Sequence, residues 1–88
     1  MTGDRLDRLA AHLRATGERP VERSAARWLG EAEAIATDLA ESDLESDARA
    51  KRLDQLDHLL SNVETTGDED ADDHLESARD LLTSLRET

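Results

Sequence analysis

The chain has 88 residues, a length for one domain spanning 1–88, and its 22 Asp and Glu outweigh 11 Lys and Arg to leave a formal net charge of −11. The absence of cysteine excludes disulfides, thiolate metal sites and a cysteine nucleophile, and no apolar run reaches the ~18 residues of a membrane helix. Trp28 is the sole aromatic residue and Val and Ile are scarce, which argues against a sheet and for an all-α fold.

Apolar residues recur at 3-4 spacing in four stretches, each an a/d seam of an amphipathic helix with charged residues filling the outer positions. The first seam is Leu6, Leu9 and Leu13, and it predicts a helix near 4–16. Gly17 then supplies a C′ stop, and Pro20 suits the first turn of the next helix. The second seam, Ala25, Trp28, Ala32, Ile35 and Leu39, predicts a helix near 20–41 with Trp28 as a core knob between small alanines. Ser42 and Glu45 have capping-box spacing at a junction that either separates two helices or bends one. Leu53, Leu56, Leu60 and Val63 predict a third helix near 47–65, closed by Thr66-Gly67. Leu75, Ala78, Leu82 and Leu85 predict a fourth near 69–87, with the acidic run Asp68 to Asp73 at its start, where the helix dipole favours anions. Short loops between four such helices close most simply as an up-down-up-down antiparallel four-helix bundle.

Against that frame few residues suggest chemistry. His12 and His74 fall at g positions and His58 at f, so all three are read as solvated surface. A helical di-metal site would need a Glu three residues before its His, but Gln55 precedes His58 and Ala71 precedes His74. Asp68 to Asp73 begins like a calcium loop, yet the positions that require Gly and a bidentate Glu hold Asp73 and Arg79. No paired carboxylates, serine triad or glycine-rich phosphate loop emerges, so the expectation is no enzyme, no catalytic residue, no metal ligand and no cofactor.

Charge is unevenly spread: residues 1–30 carry +2 and residues 31–88 carry −13. Arg19, Arg23 and Arg27 recur every four residues and form a predicted ridge on the second helix, with Leu29 beside it as an apolar anchor. The same ridge can serve as a solvated face, with Arg27 paired to Glu31. Leu29, Leu59 and Leu81 stand at e and g positions, where they either widen the buried stripe or mark a partner surface. Nucleic acid is a poor partner for so acidic a chain with no aromatics for base stacking.

The stretch from Pro20 to Ala34, PVERSAARWLGEAEA, together with Thr66-Gly67-Asp68 opening the last helix, resembles small uncharacterised all-helical proteins of haloarchaea. Lys51 as the only lysine beside ten Arg agrees with that resemblance, which implies no activity, cofactor or site. The sequence therefore leads to a cytoplasmic, non-enzymatic interaction or regulatory module of a halophile, binding a protein partner or a second copy as a homodimer through Arg19, Arg23, Arg27 and Leu29. The alternative is a bundle that binds a cation or small ligand at the Asp68–Asp73 turn.

Overall fold

The structure, a computed structural model, describes the backbone of residues 2–87 and the side chains of residues 4–87. Four helices follow one another: α1 (Thr2–Gly17), α2 (Arg23–Glu41), α3 (Ser46–Ser61) and α4 (Glu69–Arg86), with no strand among the described residues. α1 packs on α2 and α4, α2 on α3, and α3 on α4, while the diagonal pairs do not meet. This is the cyclic order of an up-down-up-down four-helix bundle, 35 × 20 × 20 Å. α1 sits closest to its two neighbours and α3 is the most loosely held.

The seams of α1, α3 and α4 are buried as their spacing predicts: Leu6, Leu9 and Leu13, then Leu53, Leu56, Leu60 and Val63, then Leu75, Ala78, Leu82 and Leu85. α2 is rotated. Its buried residues are Ala25, Leu29, Ala32, Ala36 and Leu39, whereas Trp28 and Ile35 lie only partly buried beside the core. The reason is steric. Ala25, Ala32 and Ala36 allow α2 to approach α1 closely, with Leu29 filling the seam between them, and an indole directed at the same line would hold the helices apart.

The helix ends also depart from the sequence expectation. Gly17 closes α1 without a positive φ, its stop made instead by Glu18 N–H donating to Ala15 O at 3.1 Å and Arg19 N–H to Thr16 O at 3.2 Å. Pro20 to Glu22 stay outside the helix, because Glu22 N–H donates to Thr66 O at 2.7 Å across the end of the bundle and α2 begins only at Arg23. Ser42 to Glu45 form a true break between α2 and α3. Ser42 is the C-cap of α2, and Glu45, the N-cap of α3, makes no side-chain cap, so the capping box is not formed. α3 ends at Ser61 and not near 65: Ser61 Oγ and Asn62 Nδ2 both donate to His58 O, at 2.7 and 2.9 Å, and turn the chain out of the helix.

Candidate functional site

The loops 18–22 and 62–68 meet at one end of the bundle, and there most of the polar chemistry is internal. Asp68 caps α4 by accepting from Ala71 N–H at 2.9 Å and accepts from Arg19 Nε and Nη2, at 3.0 and 3.2 Å. Asp70 lies 3.4 Å from the same guanidinium. Asp72 accepts from Thr66 N–H at 2.7 Å, from Thr66 Oγ1 at 2.8 Å and from Thr65 Oγ1 at 3.1 Å. The Arg19 hydrogen bond, followed by the Ala71 N–H, holds the Asp68 carboxyl below the usual carboxylate range, and the Thr66 N–H and hydroxyl do the same for Asp72. The acidic run is thus a turn clasp. Among the described residues no group of three or more His, Asp or Glu side chains is arranged to hold a metal ion.

The predicted arginine ridge is divided by this arrangement. Arg19 belongs to the α1–α2 loop and is held by Asp68 and Asp70, so it is not a free contact residue. Leu29 is 2% exposed and serves as a core residue, not as a surface anchor. Its e position belongs to the buried stripe because α2 turns that side toward α1. Arg23 and Arg27 remain on the exposed face of α2 and pair with no described residue, so the Arg27–Glu31 pair is not formed.

Farther along α2 an open groove of about 610 Å³ lies between α2 and α3, with Ala34, Ile35 and Leu59 contributing apolar surface and Glu31, Gln55 and His58 among its polar edges. Trp28 lies two turns before Ile35 on the same face of α2. Leu59 itself is buried, and Leu81 packs partly buried against the core from α4, so none of Leu29, Leu59 and Leu81 is fully exposed.

Two features have no precedent in the seam pattern. The Arg79 guanidinium reaches from α4 to the end of α3, donating to Leu60 O at 2.7 Å and also to Val63 O. It adds to Leu60 O, which already accepts from Val63 N–H at 3.1 Å, and reaches Val63 O just beyond the helix, with its charge at the negative end of the helix dipole. On the opposite side of α4, His74 meets His12 of α1 with Nδ1 to Nδ1 at 3.0 Å, the ring centroids 5.3 Å apart and the planes tilted by 45°. Both rings are partly buried, which corrects their reading as solvated surface. Burial, then the neighbouring His74 and Arg8, push the His12 pKa down and favour its neutral form. A sequence signal for the pair exists: two g positions on antiparallel neighbouring helices flank one seam and can face each other. His58 stays exposed on α3.

Residues 5–88 match the family described as Domain of unknown function (DUF8152). The chain belongs to this family. The match runs from within α1 to the end of α4. No curated protein and no solved structure matches the chain.

Proposed function

We propose that this DUF8152 chain is a non-enzymatic interaction module that receives a partner protein along α2, with Arg23 and Arg27 as its ionic contacts and the α2–α3 groove as its apolar one. The observation that carries the reading is that α2 carries both one wall of an open apolar groove, lined by Ile35 and Leu59, and, one and two turns before Glu31 at the groove edge, two arginines that pair with nothing in the described chain. An apolar depression flanked by desolvatable cations and an aromatic residue has the composition of an interaction hot spot. Trp28 takes the anchoring role that the sequence assigned to Leu29. The occupant that suits this surface is a segment bearing an apolar side chain and carboxylates to meet Arg23 and Arg27. A second copy suits it less, since the groove has Glu31 and Asp54 on its own edge and an acidic copy would bring carboxylates into direct contact with them.

The acidic coat and the family resemblance support work in the cytoplasm of a salt-loving organism, where the Debye length at ~1 M ionic strength is about 3 Å and only direct contacts between charges count. The test is affinity capture at high KCl with the intact chain, Arg23→Gln/Arg27→Gln and Trp28→Ala, each first checked for helicity. A stoichiometric partner lost in both variants supports the reading. A partner retained by both moves the interface elsewhere, and a dimer by sedimentation with no other partner makes the occupant a second copy.

A further inference from the structure

We propose that the His12–His74 hydrogen bond is a pH-sensitive latch between α1 and α4, closed while the pair carries at most one extra proton and opened by a second. The α1–α4 seam lies across the bundle from the α2–α3 groove, so the proposal is independent of the partner reading.

The two rings meet head-on through their Nδ1 atoms at 3.0 Å, one as donor and the other as acceptor. With both rings neutral, the donor carries its proton on Nδ1 and the acceptor on Nε2. A first proton from solvent occupies the donor's free Nε2 and leaves the bond in place, now charge-assisted. A second proton has only the acceptor's Nδ1 to occupy, the atom that the bond uses. Two N–H groups and two imidazolium charges would then face each other, and the contact turns repulsive.

Little nearby offsets that second charge. Arg8, one turn before His12 on α1, adds a third cation. On α4, Asp80 lines the cavity of about 250 Å³ beside His12 together with Arg8, and Asp70, one turn before His74, lies 3.4 Å from Arg19 of the α1–α2 loop. From α2, Glu33 approaches α1 at Arg14, 4.0 Å away, and α3 does not meet α1. Among the described residues no carboxylate forms an ion pair with either ring. Burial of His12 acts in the same sense as these charges, toward its neutral form.

An isolated imidazole takes its proton near pH ~6.5, so below that pH the unfolded chain holds two extra protons here and the folded pair one. Stability is therefore lost as pH falls from about 6.5 toward the pair's second step, above the range in which the Asp68 and Asp72 carboxyls titrate. The pair lies next to the Arg19–Asp70 contact, so its opening loosens the last turns of α1 against the first turns of α4.

NMR of the histidine rings in the full chain, from about pH 8 to about pH 4.5 at constant high KCl, tests the latch. The expected result is two coupled rings that titrate in two steps at least about one pH unit apart. In His12→Gln or His74→Gln the remaining ring should titrate in a single step, at least about one pH unit above the pair's second step, while His58→Gln leaves both steps in place. The wild-type melting temperature should fall between about pH 7 and about pH 5 more than that of His12→Gln. Rings that each titrate in one step, unmoved by removal of the other, overturn the proposal, as do parallel melting curves for the two proteins. Should the variants lose helicity, nitrogen shifts of the wild type at about pH 8 decide: one Nδ1–H proton between the two rings supports the latch, and Nδ1 bare in both refutes it.

Discussion

Gly67 shows how a single position can be fixed by two constraints at once. Its φ of +81° lies in the left-handed region, and a Cβ there would stand 2.8 Å from Glu22 Cγ. Gly67→Ala is expected to cost about 1–2 kcal/mol, measured by urea unfolding, through backbone strain and displacement of the Glu22 side chain. A neutral substitution would mean that the two loops meet less tightly than the Glu22 N–H to Thr66 O bond implies. Asp68 and Asp72 in the same turn make stability depend on acid. Both carboxyls are depressed in the folded chain, so the folded state holds fewer protons there than the unfolded one. Their stabilisation is present above the ordinary carboxylate range and is lost as pH falls through it toward the folded values. Urea midpoints followed from neutral to acid pH should therefore drop more steeply for the wild type than for Asp68→Asn/Asp72→Asn, which starts less stable. Parallel curves for the two proteins would rule out this linkage.

α2 turns inward a face rotated from its predicted seam. Its a/d pattern and its a/e pattern share Ala25, Ala32 and Leu39, so spacing alone cannot choose between Trp28 with Ile35 and Leu29 with Ala36. Close packing on α1 chooses the smaller set. Leu29→Ala should accordingly cost about 2–5 kcal/mol in urea unfolding, as a buried leucine does, and a loss below about 1 kcal/mol would restore Leu29 to the surface. Trp28, the only Trp, reports on the same question from the other side. Acrylamide should quench its fluorescence in the native state, whereas a blue-shifted, shielded emission would place it in the core. α3 and α4 follow their predicted seams, but their junction depends on Arg79, whose role emerges only from where α3 stops.

Across the bundle, charge and packing are unevenly distributed in the same sense. Residues 31–88 carry a net −13 and include α3, the helix that meets its neighbours least. Arg86 of α4 bridges Asp54 and Asp57 of α3 at 2.8 and 3.0 Å, an exposed contact that contributes little by itself. Carboxylate repulsion lengthens its range as salt is withdrawn, so α3 is the element expected to open first. Hydrogen exchange on dilution from high to low KCl should show protection lost from α3 before α1. Uniform protection at low salt would mean that the acidic coat serves solubility alone.

Four helices, the all-α class, most of the core leucines and the order of the bundle were legible in the chain because a 3-4 apolar repeat and short polar loops leave little other way to bury so many leucines. The acidic start of α4 was legible for the same local reason, Asp68 being in reach of its own helix amides. The rotation of α2, the capture of Arg19 by Asp68, the Arg79 cap and the His12–His74 contact were not. Each joins residues 16 or more apart in sequence or depends on which of two equivalent helix faces a neighbour can approach. Local periodicity sets which faces of a helix are apolar; steric fit between helices decides which of those faces turns inward, and with it which arginines and histidines are left for function.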